Sequence, residues 1–299
     1  MTTVVAWAGL CLAQAVPTPA PPTFRMDVEA VELDVSVTRG GKHVPGLTAA
    51  DFRVLDSGVP QEIELAAAGD LPLNVILALD TSASMAGERF TRLLSGAGAF
   101  LTGLRPGDRT ALVSFSHRVR VLGGLSNDLV AVRAQLERVT PDGMTALNDA
   151  LYASLAVAEG AAGRCALVLF SDGLDNISWT SEADVLEAAR ASPAVLYVVA
   201  SSLATLPDED RRAVARDPRE AFLKKLADVT GGQLVKANSD SALVEAFTRV
   251  LAEMRARYVL RFTPQGVPAV GWHPIGVKLK SRRGELTTRS GYLKAASPH

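Results

Sequence analysis

Val75, Ile76, Leu77, Ala78 and Leu79 form an unbroken apolar run that stops at a carboxylate, Asp80. A strand with one wet face alternates apolar and polar side chains, whereas a run without alternation suits a strand covered on both faces by helices, as in a parallel sheet. The same pattern returns at residues 111–115, 166–170 and 195–200. Between the runs, apolar residues recur at helical spacing: Phe90, Leu93, Leu94, Ala97, Leu101 and Leu104, then Leu129, Val132, Leu136 and Val139, then Leu147, Leu151, Leu155 and Ala158. Two further stripes run through residues 222–229 and 243–254. This alternation predicts an α/β, Rossmann-like, doubly wound and mostly parallel sheet over residues 71–254, with Val119, Val121 and Leu122 as a short antiparallel edge strand.

Ligands of such sheets bind at the carboxyl ends of the strands, where the loops diverge into a crevice. Asp80 stands at that end, and Ser82 and Ser84 follow at alternate positions. The D-x-S-x-S spacing lets three oxygen-bearing side chains turn toward one point, and hard divalent cations take oxygen ligands. A polar loop with an N-capping serine is the plainer alternative. Two distant pieces bear on the choice: Gly143-Met-Thr145 opens a helical segment, and Ser171-Asp172-Gly173 ends a second apolar strand. Together Asp80, Ser82, Ser84, Thr145 and Asp172 resemble the metal-ion-dependent adhesion site of von Willebrand factor A-type (vWA) domains, in the family's order and on the elements it requires.

The resemblance spans about residues 71–254 and implies the vWA fold, with a bound Mg²⁺ (or Mn²⁺ or Ca²⁺). It implies Ser82, Ser84 and Thr145 as direct ligands, and Asp80 and Asp172 as ligands directly or through water. Two carboxylates and three neutral hydroxyls neutralise a divalent ion without overcompensating it, and Mg²⁺ keeps exchangeable positions in its near-octahedral shell. The function implied is cation-dependent binding of a protein partner that presents an Asp or Glu carboxylate, with no small-molecule substrate. Asp149 and Asp175 lie close by in sequence; Asp149 falls in a first helical turn, where a carboxylate favours the helix N-terminus over ligation.

Two other functions compete. The strand-end Asp80 and the Ser171-to-Asp175 loop are also similar to the haloacid-dehalogenase phosphatases, but the second acid those enzymes place two residues after the nucleophile is Ser82 here, whose hydroxyl does not serve as an acid near neutral pH. A structural module whose metal stabilises loops is the third reading. His43, His117, His273 and His299 show no metal-ligand spacing and no visible pairing with Ser or Asp, so each reads as a surface or strand residue, and the chain is expected not to be an enzyme.

With 31 basic and 32 acidic residues the formal net charge is −1, so no positive excess draws the chain to nucleic acid. Residues 1–15 are apolar, uncharged and end in Ala13-Gln-Ala15, which reads as a secretory signal peptide, followed by a Pro-rich spacer at 16–23. No Lys or Arg precedes Arg25, so the basic leading region of such a signal is missing and a short apolar tail is the alternative. A secreted, periplasmic or envelope location is expected. Of the two cysteines, Cys11 lies in this leader and Cys165 begins an apolar strand, so Cys165 reads as a small buried hydrophobe.

Strict alternation marks both flanks. In 24–70, Val31, Leu33, Val35 and Val37 share one face; in 255–294, Tyr258, Leu260 and Phe262, then Ile275, Val277 and Leu279, do the same, and a strand is expected from Leu286 to Tyr292. Neither piece carries enough apolar strand to bury a face alone, so the two are expected to combine into one small β subdomain, with two separate appendages as the alternative. The charged stretch 201–219 and Trp179 read as solvated or packing residues, or as a rim beside the metal.

Overall fold

The computed structural model describes residues 30–68, 71–171, 175–201, 218–237, 239–280 and 284–294 of the chain. The expected leader 1–15, the spacer 16–23, Asp172 and residues 202–217 lie outside the described residues.

The chain opens on β1 (Val31–Arg39), which turns through Gly40 and Gly41 into β2 (Lys42–His43), and continues through β3 (Phe52–Asp56), β4 (Val59–Gln61) and β5 (Leu65–Ala68). The α/β part then runs β6 (Asn74–Asp80), α1 (Glu88–Thr102), β7 (Arg109–Phe115), β8 (Val119–Val121), α2 (Leu129–Leu136), α3 (Leu147–Glu159), β9 (Cys165–Ser171), α4 (Glu182–Ala191), β10 (Val195–Ser201), α5 (Pro218–Thr230), β11 (Gln233–Ala237) and α6 (Asp240–Ala256). It closes with β12 (Tyr258–Phe262), β13 (Gly271–Leu279), β14 (Glu285–Thr287) and β15 (Gly291–Lys294).

The central sheet has the order β11-β10-β9-β6-β7-β8, parallel throughout except for β8, which pairs antiparallel with β7 at the edge. Its unbroken apolar strands serve two cores at once. Val75, Leu77 and Leu79 of β6 face one layer with α1, α2 and α6, while Ile76 and Ala78 face the other with α3, α4 and α5. On β9, Ala166, Val168 and Phe170 divide from Leu167 and Leu169 in the same way. Burying a Val or Leu side chain on either face contributes roughly 1.5–3 kcal/mol, so a polar residue inside these runs would forfeit one layer.

The terminal pieces combine. β1 pairs antiparallel with β12 in a sheet of order β14-β1-β12-β5, and β3 pairs with β13 in a second sheet of order β15-β13-β3-β4. Leu33, Val35 and Val37 meet Phe52, Val54, Tyr258, Leu260 and Phe262 in one shared core. The expected strand at 286–292 is instead two, β14 on β1 and β15 on β13, because the chain changes sheets between Thr287 and Gly291. Two further elements, β11 and α4, carry no apolar stripe strong enough to stand out in the sequence: β11 reads Gln-Leu-Val-Lys-Ala at the sheet edge, and α4 buries only Val185 and Ala189.

His273 is a strand residue, as expected, but it has an Asp partner that the sequence did not show. It is fully buried on β13, its Nδ1 lies 2.9 Å from Asp56 Oδ1, and its ring stacks on Tyr292 with centroids 4.7 Å apart. The Tyr292 hydroxyl donates to Asp56 Oδ2 at 2.7 Å and Ser57 Oγ donates to Asp56 Oδ1 at 3.0 Å. Burial, then the hydrogen bond to Asp56 and its charge, push the Tyr292 hydroxyl far above its ordinary range. The pairing is real but closed to solvent, so it crosslinks β3, β13 and β15 and offers no reacting face.

The β module is docked against the amino-terminal ends of the central strands, opposite Asp80. Arg164, just before β9, donates from Nε and Nη2 to Asp34 Oδ1 of β1 at 2.8 and 2.6 Å. Arg257 is fully buried, donates to Glu253 Oε1 at 3.0 Å and to Gly231 O at 2.6 Å, and lies 5.6 Å from the ring centroid of Tyr197. Arg289 donates to Ser192 O at 2.7 Å, and Ser290 N to Val229 O at 3.0 Å. At this joint Gly231 has φ +76°, and a Cβ there would come within 2.4 Å of the Thr288 carbonyl carbon, so only glycine fits. Among the described residues no helix is long and apolar enough to cross a membrane.

Candidate metal centre

The site is assembled from four loops: those leaving β6 and β7, the one between α2 and α3, and the one leaving β9. Asp80 closes β6 with none of its surface exposed. Its Oδ1 accepts from Ser82 N at 3.0 Å, a side-chain turn that reverses the chain, and its Oδ2 accepts from Ser171 Oγ at 2.7 Å. Both carboxylate oxygens are thereby fixed in direction. A 3-10 turn at Ala83–Met85 follows, pinned by Met85, whose buried side chain joins the α1 layer. This turn brings Ser82 Oγ and Ser84 Oγ to 2.9 Å of each other.

Thr145 comes from the loop before α3, and backbone bonds bind that loop to the Ser82 turn. Ala83 N donates to Gly143 O at 2.9 Å, Asp142 N to Thr81 O at 2.8 Å, and Thr81 N to Phe115 O at 2.7 Å. Ala146 N donates to Ser116 O at 2.8 Å, which ties the start of α3 to the end of β7. Gly143 makes the loop possible: its φ is +70°, and a Cβ would lie 2.0 Å from His117 Nδ1. Thr145 itself is 2% exposed.

A fourth loop, after β9, braces the third. Asn176 Oδ1 accepts from Thr145 N at 2.9 Å while Asn176 N donates to Thr145 O at 3.0 Å. Asp175 Oδ1 accepts from Leu147 N at 2.9 Å and from Ser178 Oγ at 2.7 Å, and Ser178 Oγ accepts from Asp149 N at 3.2 Å. These bonds satisfy donors that the first turn of a helix leaves without intrahelical partners. Asp149 returns the contact by accepting from Thr180 N at 2.8 Å and from Trp179 N at 3.2 Å. Burial alone would raise the Asp149 carboxyl; the hydrogen bonds from Thr180 and from the Trp179 N–H outweigh it and hold the carboxyl below its ordinary value. Asp149 therefore spends its acceptors on the loop. Asp175, Asn176 and Ser178 are positioning residues that only their clustering just after Asp172 could have signalled.

Of the expected ligands, Asp80, Ser82 and Ser84 stand together, Thr145 lies on a loop bonded to theirs, and Asp172 falls outside the described residues, directly after the Ser171 that holds Asp80. The donor set can be tested for fit to a cation. Two ligands at adjacent corners of an octahedron about 2.1 Å in radius lie about 3.0 Å apart, and the two serine oxygens are 2.9 Å apart. Among the described residues no group of three or more His, Cys, Asp or Glu could cage a metal. Hydroxyl and carboxylate oxygen, without nitrogen or sulfur, suits a small hard ion.

A six-stranded doubly wound sheet with polar loops at the carboxyl ends of β6 and β9 belongs to the class of open α/β folds, whose members bind ligands at that end. Residues 75–174 match the family model described as the von Willebrand factor type A domain, and over this stretch the chain carries a vWA domain, commonly a protein-interaction module. A Synechocystis relative described as "Uncharacterized protein sll0103" is 32% identical over 124 residues, covering 37% of this chain and 29% of that protein. The chain thus matches under a third of that relative's length. Among solved structures, a D319A mutant of the PilB minor pilin from Streptococcus sanguinis superposes with a TM-score of 0.52 at 15% identity, covering 63% of this chain and 62% of that one. A von Willebrand factor type A protein from Catenulispora acidiphila superposes with a TM-score of 0.50 at 14% identity, covering 86% and 76%. These two likenesses are of fold.

Proposed function

We propose that the domain is a non-enzymatic binding module that takes a protein partner's Asp or Glu carboxylate on a divalent cation, Mg²⁺ or alternatively Mn²⁺ or Ca²⁺, held by Asp80, Ser82, Ser84, Thr145 and Asp172. The observation that carries the reading is the Ser82–Ser84 hydroxyl pair at 2.9 Å beside a carboxylate whose two oxygens are both anchored. When bound, the cation supplies a Lewis-acidic position for an outside carboxylate. Ser82 and Ser84 present neutral oxygens on one edge, Asp80 supplies negative charge from a buried position, and Asn176 holds the Thr145 backbone in place. The phosphatase alternative has no support at the position where its acid would stand, since Ser82 Oγ is paired with Ser84 Oγ.

Export to the envelope or medium belongs to the same proposal and draws on the apolar segment 1–15. Calorimetric titration of Mg²⁺ or Mn²⁺ into the purified chain, with Asp80→Ala as control, tests the site. Saturable binding to the wild type that vanishes in the variant is expected; equal binding by both removes the site as assigned. Capture of envelope proteins with and without chelator tests the partner: captured protein should be lost in chelator and regained with Mg²⁺.

A further inference from the structure

A groove of about 620 Å³ runs between α3 and α4. Trp179 stands at one end and Leu293 of β15 at the other, with Tyr152 on the α3 wall. Trp179 is 97% exposed, the most exposed of the large hydrophobic residues described, and Tyr152 and Leu293 are about half exposed. The packing role considered for Trp179 from sequence is therefore absent. Exposed aromatic residues clustered in a concave surface mark interaction sites more than isolated ones do.

The charge of the groove has one sign. Among the described residues Glu159, Asp184 and Glu187 line it, and no Lys, Arg or His does. Asp184 is committed to capping α4, accepting from Ser181 Oγ at 2.6 Å. Glu159 and Glu187 have no basic partner among the described residues at ion-pair distance, whereas other exposed acids do, such as Glu88 with Arg92 and Asp228 with Lys224. The cation that α4 does carry, Arg190, is turned away over the Trp272 ring, 5.6 Å from its centroid.

We infer that this groove is a second docking surface, for an extended segment of a partner protein with alternating basic and apolar side chains. The carboxylates of Glu159 and Glu187 pair with the basic groups, the faces of Trp179 and Tyr152 take a guanidinium or an apolar side chain, and Leu293 closes the far end. A wall of ten α4 residues is about 15 Å long, which holds roughly four to five extended residues. An acidic segment is repelled from the same surface. The surface needs no metal and does not rest on the reading of the cleft.

The test uses the full chain and two labelled hexapeptide probes, one alternating leucine and arginine, the other leucine and glutamate, followed by fluorescence polarisation. The basic probe should bind and the acidic one should not. The double change Glu159→Lys with Glu187→Lys should weaken the basic probe at least tenfold, and Trp179→Ala about fivefold, with chelator and Asp80→Ala leaving it unchanged. Since all three groove positions are exposed, circular dichroism should be unaltered. Equal binding of both probes, or unchanged basic-probe binding by the reversal variant, overturns the inference. So does concentration-dependent dimerisation abolished by the reversal without any probe binding, which would make a second copy the occupant.

Discussion

Ser171 Oγ donates to Asp80 Oδ2 at 2.7 Å across adjacent parallel strands, so the buried carboxylate that ends β6 is aimed by its neighbour on β9. Ser171→Ala deletes that donor without changing charge. Loss of one hydrogen bond to a carboxylate costs about 1.5–3 kcal/mol of stability, and loss of an orienting partner behind a ligand weakens metal roughly 10–100-fold. Calorimetry and urea unfolding should show both effects, the metal effect smaller than for Asp80→Ala. A Ser171→Ala protein with wild-type metal affinity would mean that the carboxylate needs no aiming.

Gly143→Ala should act on the site through the backbone. At φ +70° an alanine is strained by about 1–2 kcal/mol, and its Cβ collides with the His117 ring, forcing the Thr145 loop to shift. Metal affinity should fall with little change in far-ultraviolet circular dichroism. Adding His117→Ala removes the collision but not the φ strain, so it should restore part of the affinity; full restoration or none would contradict the two-part account.

The joint between the modules depends on buried charge. Asp34 and Arg164 have side chains 13% and 3% exposed, and removing one partner of such a pair costs about 3–5 kcal/mol because the other charge stays buried alone. Asp34→Ala should therefore lower the urea midpoint far more than Asp34→Ala with Arg164→Leu. Equal losses in the single and double variants would show that the guanidinium finds other compensation.

Cys165 gives an alkaline signature. Burial, with the charge of Asp34 adding to it, pushes the thiol up from 9.0 to about 12. Below pH 9 the thiol is protonated in both folded and unfolded chains and stability is unaffected by it. Between pH 9 and about 12 the unfolded thiol ionises while the folded one does not, so stability declines by up to roughly 1.4 kcal/mol per pH unit. Tyr292 shifts in the same direction, and its contribution begins above its ordinary value of 10.0. Cys165→Ala should flatten part of the alkaline decline, and mass mapping should find Cys165 unalkylated in the folded chain at pH 8. Fast native alkylation would place the thiol at the surface.

What the sequence disclosed, and what it withheld, follows from range. The strands buried on two faces were legible because each carries its pattern within five residues, as Val75 to Leu79 does. Asp80, Ser82 and Ser84 were legible for the same reason, since one short turn brings them together. The brace of Asp175, Asn176 and Ser178 was not, because its acceptors act on Thr145, Leu147 and Asp149 about 30 residues away, at a distance set by the fold. His273 and Asp56 are 217 positions apart and met only because β3 and β13 are neighbours. Edge position hid β11, whose Lys236 faces solvent, and an alanine-rich face hid α4.

The opposed placement of cleft and β module also sets a direction of load. Asp80 ends β6, while Arg164, Arg257 and Arg289 clamp the other end of the sheet to β1, β12 and the β14–β15 link. Tension between a ligand gripped at the cleft and an anchor on the β module would run lengthwise along β6. The strand would have to slide against seven register pairs with β7 and six with β9 at the same time, instead of peeling from them one by one. A single-molecule pull along the line joining those two ends should therefore give a higher rupture force than one applied across the sheet from β11 to β8.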